Sequence, residues 1–171
     1  QSVETTDAKT WSFKIRSGVE FHNGKTLTPA DVVYSLNLHR GEDTASAGKS
    51  VMAAASDVKV DGDRVMIVLD QANVDFPSFL TDDNFVIVSD GATAEDLAQG
   101  GVGTGGYSVT RFNPGVDFVG TRNPNYWKEG RAHFDEIELI GIPDANARMN
   151  ALMSGQIDAM NNFNPLLVRI A

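Results

Sequence analysis

The sequence predicts a mixed α/β (α+β) protein, because segments with strand periodicity alternate with segments that carry helix-capping residues. Apolar and polar side chains alternate over residues 11–16, as in a strand with one buried face. An Asp-Gly turn at residues 61–63 lies between two alternating segments and predicts a β-hairpin. Thr28, followed by Pro29, predicts a capped helix start. With 171 residues, of which 42% are hydrophobic, the chain is large enough for a sizeable core.

Turn and cap residues separate the elements of the first half. Residues 1–9 are polar, and we expect them to be loosely ordered. The helix that begins after Thr28 continues to about residue 40, and Gly41 ends it. A short helix over residues 51–55 precedes the hairpin. The two hairpin strands are predicted at residues 58–60 and 65–69.

The middle of the chain contains one apolar segment, one weak helix and one glycine-rich loop. Residues 85–88 are apolar and lie between aspartates, which is typical of a buried strand. Thr93 can cap a helix through residue 98, with Asp96 at its third position. Glycines crowd residues 100–106, which we interpret as a loop whose backbone makes tight turns.

The last third returns to alternating strands and a further capped helix. Strands are predicted at residues 107–112, 117–121, 135–142 and 157–160. Asp144 caps a helix that Gly155 ends, and another helix begins within residues 165–171. The end of the chain inside an apolar segment, and a first strand without an earlier partner, lead us to expect a fragment.

Charge and composition exclude several classes of protein. The net charge of −9 and the absence of a lysine or arginine run argue against nucleic-acid binding. The chain has no cysteine, which excludes disulfides and cysteine-ligated metals. No apolar run approaches the roughly 20 residues of a spanning helix, so we expect no membrane-spanning segment. No signal peptide is visible at Gln1, which fits a processed form, a fragment or a cytosolic protein.

The glycine loop matches the dinucleotide fingerprint G-x-G-x-x-G by its letters. The fingerprint needs a strand before it and a helix after it, so that the pyrophosphate lies at the helix N-terminus. Here the predicted order is reversed, because a weak helix precedes Gly101 and a strand follows Gly106. A nucleotide-dependent enzyme that uses this loop remains an alternative hypothesis, and a free-standing interaction module is another.

Other catalytic and metal signatures do not emerge. The three histidines have no metal-ligand spacing: His22, His39 and His133. No G-x-S-x-G elbow is present, and the acidic residues show no spacing that requires an acid–base pair. We therefore predict no catalytic residue, no metal site and no cofactor.

Amide and aromatic side chains near strand ends are the remaining binding candidates. Asn161, Asn162 and Phe163 follow the strand predicted at residues 157–160, and such groups at the carboxyl end of a strand suit a polar organic ligand. An ordinary strand-to-helix loop explains them equally well. Tyr126 and Trp127 are better interpreted as an aromatic pair buried under a loop.

Five motifs, in order, resemble those of one protein family. Residues 11–35 combine a W-S-F start, an F-H-N-G turn and a T-P-A-D-V-V-Y-S helix start. Residues 102–107 read V-G-T-G-G-Y, residues 122–127 R-N-P-N-Y-W, residues 143–148 P-D-A-N-A-R, and residues 151–158 A-L-M-S-G-Q-I-D. This series is similar to the family 5 extracellular solute-binding proteins of ABC importers, the peptide, opine and nickel class.

Four positions depart mildly from the family pattern. The family has threonine, leucine, alanine and proline where this chain has Ser12, Ile15, Pro29 and Gly106.

The resemblance implies part of a periplasmic-binding-protein type II-like fold. It implies a mixed sheet with flanking helices and a smaller, strand-rich subdomain. Residues 1–90 would form part of the smaller subdomain, and residues 91–171 part of the sheet-containing subdomain of the same lobe. The chain would then stop before the hinge to an opposite lobe that it lacks.

The resemblance also implies a function without covalent chemistry. The protein would capture a small solute, with a peptide expected first and a nickel chelate, an opine or an oligosaccharide as alternatives. Two lobes would close on the solute, and ABC permease subunits in the membrane would receive it. The expected location is the periplasm, or the outer surface by a lipid anchor in a Gram-positive host.

Residue by residue, the resemblance assigns two groups of site residues. The first is a ligand-binding group on the strand-end loop: Met160, Asn161, Asn162 and Phe163. The second is a structural loop near the cleft, at the subdomain junction: Gly103, Thr104, Gly105 and Tyr107.

Overall fold

A computed structural model describes residues 1–162 as two antiparallel sheets joined by short helices and loops. The strands are β1 (Ser2–Glu4), β2 (Thr10–Lys14), β3 (Ala55–Asp61), β4 (Arg64–Leu69), β5 (Tyr107–Asn113), β6 (Asp117–Arg122) and β7 (Glu136–Ile140). The helices are α1 (Pro29–Asn37), α2 (Lys49–Met52), α3 (Phe76–Phe79), α4 (Ala94–Ala98) and α5 (Ala145–Met153). The predicted mixture of helices and strands is confirmed.

The first sheet has the order β1-β2-β4-β3 and carries most of the core. Strand β4 alternates strictly, so that Val65, Ile67 and Leu69 are fully buried while the residues between them are half-buried. Helix α1 packs on β3 and β4 and contributes the buried Leu36. Phe76 of α3 is also part of this core.

Helix α1 begins where the sequence predicts, because Thr28 and Asp31 form a capping box. The Thr28 amide and hydroxyl donate to Asp31 Oδ2 over 2.8 and 2.7 Å. The helix ends at Asn37, three residues earlier than predicted. The amides of His39 and Arg40 donate to carbonyls three residues back, so the chain tightens into a 3₁₀-type turn.

The strand predicted at residues 85–88 is wrong. This segment pairs with no strand among the described residues, and Val86 is exposed. The amide of Val88 donates to Ser35 Oγ over 2.9 Å, and the Ser35 hydroxyl lies 3.1 Å from the Val88 carbonyl. The hydroxyl has a single proton and lies closer to the Asp31 carbonyl, at 2.7 Å, so its firm bond to this segment is the one that it accepts from the Val88 amide. Because a side chain of α1 accepts from this amide, the amide needs no neighbouring strand.

The beginning of the chain is more ordered than predicted. Within residues 1–9, strand β1 pairs antiparallel with β2, and Val3 lies opposite Phe13. Arg64 joins β1 to β4 through a 2.8 Å ion pair with Glu4. The polar composition of this segment reflects its position at a sheet edge, where charged side chains are favoured.

The strand predicted at residues 157–160 is also wrong. Gly155 ends α5 with a φ of 73°, and the amides of Gln156 and Ile157 both donate to the Ala151 carbonyl. These bonds wrap the chain around the end of α5. The strand-like run after them forms no ladder with any described residue.

Two further helix predictions concern residues 51–55 and residues 165–171. The short helix predicted at residues 51–55 lies at Lys49–Met52, and Ala55 already begins β3. The helix predicted within residues 165–171 lies outside the described residues.

The second sheet has the order β5-β6-β7 and presents two different faces. Pairing places Phe112, Phe118 and Leu139 in one row across the three strands. On the opposite face, Arg111 forms ion pairs with Asp117 and Glu138.

The two sheets fall on either side of residue 90, and the assignment of those halves to subdomains stays a prediction.

Candidate functional site

The glycine loop at residues 100–106 is held from two sides through its backbone carbonyls. The His22 amide donates to the Gly103 carbonyl over 2.9 Å. The Gly105 carbonyl lies 3.0 Å from both His22 Nε2 and Asn123 Nδ2. The Asn123 amide donates to the Gly106 carbonyl over 2.8 Å. The loop is therefore fixed between residues that are far apart in the sequence.

Glycine is required at specific positions of this loop. Gly100 and Gly101 have φ values of 95° and 66°, which favour glycine. A Cβ atom at Gly106 would lie 3.1 Å from the Ala132 Cβ and 3.3 Å from a Tyr126 ring carbon. The loop thus packs closely against residues 126–132, and a side chain at Gly106 would require these neighbours to shift by a few tenths of an ångström.

The dinucleotide alternative does not fit the observed order of elements. Helix α4 precedes the glycine loop and β5 follows it. A dinucleotide site needs a strand before the loop and a helix after it, because the helix N-terminus binds the pyrophosphate. The match of the loop to G-x-G-x-x-G is therefore a match of letters only.

The predicted ligand-binding group is only partly described. Met160 is half-buried, Asn161 and Asn162 are exposed, and Phe163 lies outside the described residues. These residues follow a turn and not a strand, so they do not lie at the carboxyl end of a strand as predicted. Within residues 1–162, no hydrogen bond joins this group to the glycine loop. Its role in binding stays a prediction.

The predicted loop residues Thr104 and Tyr107 are half-buried. Tyr107 is the first residue of β5, and its hydroxyl accepts a hydrogen bond from the Phe134 amide over 3.2 Å. Tyr107 therefore ties the loop to the segment before β7. Proximity of the loop to a ligand cleft stays a prediction.

Residues 16–25, which we call the junction segment, contact several parts of the second half of the chain. The Arg16 guanidinium lies over the Trp127 ring, 4.8 Å from its centroid. Nδ2 of Asn125 donates to Oε2 of Glu20 over 3.2 Å. The Lys25 ammonium donates to Oγ of Ser89 over 2.7 Å. Together with the bonds of His22, they fasten the junction segment to the glycine loop, to the loop between β6 and β7 and to Ser89. Sequence reasoning missed this segment as a junction, because its partners lie at least 64 residues away.

Tyr126 and Trp127 form an edge-to-face pair with ring centroids 5.8 Å apart. The pair is half-buried and not buried as predicted. The cations of Arg16 and Lys128 each lie 4.8 Å from the Trp127 ring, which keeps one side of the indole near water.

Asp31 is a buried carboxylate beside the junction segment. It accepts hydrogen bonds from Thr28, from the Asp90 amide at 2.7 Å and from the Lys25 ammonium. Burial raises the pKa of this carboxyl, but these hydrogen bonds outweigh burial and lower the pKa from 3.8 to about 2. Asp31 is therefore a fixed anion that holds the structure and not an acid or base for chemistry.

A surface hollow with a volume of about 390 Å³ lies at the end of α1. Its cations are already engaged: Arg40 donates to the carbonyls of Ala55 and Ser56, and the Lys49 ammonium donates to the Glu42 carbonyl. Burial lowers the pKa of His39 in its wall. The hollow is a gap between structural contacts.

Neither a metal cluster nor a membrane span emerges from the part of the chain that the structure describes. Residues 1–162 bring no three histidine or acidic side chains together as metal ligands. None of the helices in that range is long and apolar enough to cross a bilayer.

The sequence of the whole chain defines its family. Residues 1–169 match the family described as bacterial extracellular solute-binding proteins, family 5 middle. The chain therefore belongs to the family 5 bacterial extracellular solute-binding proteins, and the predicted resemblance is confirmed. Its fold is of the periplasmic-binding-protein type II class, as predicted.

Among curated relatives, the peptidoglycan-binding protein YepA of Agrobacterium fabrum is 27% identical, and the match covers 92% of this chain and 28% of the relative. The oligopeptide-binding protein AppA of Bacillus subtilis is also 27% identical, with 88% of this chain and 30% of the relative covered. The chain thus spans less than a third of the length of these relatives.

Among solved structures, a nickel ABC transporter protein from Bacillus halodurans superposes with a TM-score of 0.85 and 28% identity over 99% of this chain and 34% of that one. The binding protein AgaA of Agrobacterium tumefaciens R10, in complex with agropinic acid, gives a TM-score of 0.83 and 27% identity over 91% of this chain and 33% of that one. Proteins with different named ligands therefore share this frame.

Proposed function

We propose that this chain is part of the solute-binding component of an ABC importer, which captures a peptide by closure of two lobes and delivers it to membrane permease subunits. The observation that carries the proposal is the family match over residues 1–169. Support comes from the superposition of the two-sheet frame on solved binding proteins at TM-scores of 0.83 and 0.85. The match covers only 28% and 30% of the two relatives described above, so the second lobe would lie in sequence beyond this chain.

A peptide is the proposed solute because several relatives are named for peptides. AppA of Bacillus subtilis is named as an oligopeptide-binding protein, and a Sinorhizobium fredii relative at 30% identity is named as a probable peptide ABC transporter periplasmic-binding protein. Structures that share the frame were solved with agropinic acid or described as a nickel transporter. The binding test therefore also includes opines, nickel chelates and oligosaccharides.

The proposed contact group is Met160, Asn161, Asn162 and Phe163. The side chains of Asn161 and Asn162 are exposed, and an amide can both donate to and accept from a peptide backbone. The glycine loop with Thr104 and Tyr107 would support one wall of the cleft. We place the whole protein outside the cytoplasm, where a peptide binder of an importer must meet its solute.

The test is a thermal-shift screen of the full-length protein, with this chain in parallel. The panel contains dipeptides, longer peptides, opines, nickel with chelators, oligosaccharides, and NAD and ATP as controls. A ligand at 100 times its Kd adds about 2.7 kcal/mol of stability, which a melting curve resolves. We expect a shift with a peptide in the full-length protein and little or none in this chain alone, because a cleft needs both walls.

Two results would contradict the proposal. A shift with NAD or ATP alone would favour the enzyme hypothesis, and a shift with a non-peptide solute alone would replace the peptide. For the contact group, Asn161→Ala should weaken peptide binding, whereas Gln156→Ala should not. Gln156 is an exposed amide five residues away and serves as the matched control.

A further inference from the structure

The carbonyl of Gly105 is a shared acceptor between distant parts of the chain. It lies 3.0 Å from Nε2 of His22 in the junction segment and 3.0 Å from Nδ2 of Asn123, which follows β6. Asn123 is 9% exposed and belongs to the second half of the chain. A single carbonyl oxygen therefore links the first sheet, the glycine loop and the second sheet.

The surroundings of His22 assign the proton on its ring. A carbonyl oxygen only accepts hydrogen bonds, so the 3.0 Å contact with Gly105 requires the proton on Nε2. The other nitrogen, Nδ1, is buried and has no hydrogen-bond partner among the described residues. A second proton there would be a buried donor without an acceptor, which is costly. The geometry therefore favours a neutral ring with one defined tautomer.

His22 also sits where the two halves meet. Its amide holds Gly103, its ring holds Gly105, and no strand of the first sheet pairs with a strand of the second among residues 1–162. The relative position of the sheets thus depends on contacts of this kind and not on a continuous ladder.

We propose that His22, as a neutral imidazole protonated on Nε2, is a positioning residue that aligns the glycine loop and the second sheet with the first sheet. This inference rests on the proposed function in one respect: we expect solute affinity to depend on the alignment. The alignment itself can be measured without a solute.

The first experiment reads the tautomer by ¹⁵N NMR of the histidine rings at pH 7.5. We expect one ring with a bare Nδ1 and a slowly exchanging Nε2 proton, and His22→Gln should remove that signal. A proton on Nδ1 of His22, or rapid exchange between tautomers, would overturn the proposal.

The second experiment compares two replacements that differ in reach. His22→Gln places an amide NH₂ near the position of Nε2, where it can donate to Gly105, whereas the side chain introduced by His22→Asn is too short. The reporter is ¹⁹F NMR of fluorotryptophan at Trp127, which packs under Arg16 of the same segment. We expect His22→Asn to shift and broaden the Trp127 signal, and His22→Gln to keep it near that of the parent.

The control for this comparison is His133→Asn, because His133 is exposed and makes no side-chain hydrogen bond among the described residues. It should leave the Trp127 signal unchanged. Equal disturbance by the glutamine and asparagine replacements would show that packing, and not donation to Gly105, is what matters.

The third experiment measures solute affinity in the full-length protein. His22→Asn should raise Kd about three- to tenfold, the equivalent of one hydrogen bond, and His22→Gln less than about twofold. Unchanged affinity in both would overturn the link to binding. Failure to find any solute would count against the proposed function alone, since the tautomer and the Trp127 signal need no ligand.

Discussion

At the scale of single residues, Asp31 shows how one carboxylate can organise several segments. Its donors are Thr28 at the start of α1, Lys25 in the junction segment and the amide of Asp90. The sequence predicts the capped start of α1 at Thr28. It gives no sign of the bond to Asp90, which is 59 residues away.

We expect Asp31→Asn to lower the free energy of unfolding by about 2–3 kcal/mol, since hydrogen bonds to a buried charge are lost and an amide group faces other donors. Chemical denaturation measures this loss. The matched control is Asp96→Asn, because Asp96 forms the same capping box with Thr93 on the surface. A loss in the control as large as that in Asp31→Asn would contradict the role of the buried network.

The lowered pKa of Asp31 predicts a pH dependence of stability. The carboxyl has a pKa of about 2 in the folded chain and 3.8 as its ordinary value. The folded state therefore binds this proton less readily, so the stabilisation is present above pH 3.8 and is lost as pH falls toward 2. The ionised carboxylate is expected to contribute about 2 kcal/mol to the free energy of unfolding. Chemical denaturation from pH 6 to pH 2 measures the free energy of unfolding of the parent and of Asp31→Asn. We expect the difference between the two free energies to shrink below pH 4. A difference that stays constant over this range would contradict the lowered pKa.

At the scale of elements, the sequence predicts those that local signals define. The hairpin of β3 and β4 follows from alternation around an Asp-Gly turn, and α1 and α5 follow from their caps. Residues 85–88 and 157–160 have strand composition but no strand partner among the described residues. Nearby backbone groups bond instead to a serine side chain and to the end of α5, and composition cannot reveal such partners. The His22–Gly105 contact, 83 residues apart, escapes sequence reasoning for the same reason.

Ser35 fastens Val88 to α1, and its replacement should loosen the chain at that point. Ser35→Ala leaves the buried amide of Val88 without an acceptor, which should cost about 1–3 kcal/mol. Hydrogen exchange at the Val88 amide should accelerate. Tyr34→Phe is the comparison, because it removes only the bond to the Ala92 carbonyl. Exchange at Val88 that is equally fast in both variants would contradict a specific role for Ser35.

At the scale of the whole molecule, the two sheets differ in how well they are covered. The first sheet is packed by α1 and α3 and holds the core. The second leaves Phe112 41% and Leu139 59% exposed in one apolar row. Family membership could be predicted from five short motifs, but the identity of the solute could not, because proteins with different named ligands share this fold.

The exposed row predicts self-association of this chain when it is studied by itself, because apolar sheet faces and edges attract other copies. Sedimentation velocity over a range of concentrations should show species larger than the monomer. Leu139→Lys should shift the distribution toward monomer. Val74→Lys, at a site that is 73% exposed outside this sheet, should not. A chain that is monomeric at all concentrations would contradict the prediction.

The way in which the glycine loop is held has a practical consequence for labelling. Its contacts run through carbonyl oxygens, and Gly105 has open space where a side chain would begin and no positive φ. The chain contains no cysteine. Gly105→Cys therefore introduces a single thiol beside the anchored carbonyl, and a spin label attached there reports the mobility of the loop without removal of any native side chain that the loop needs.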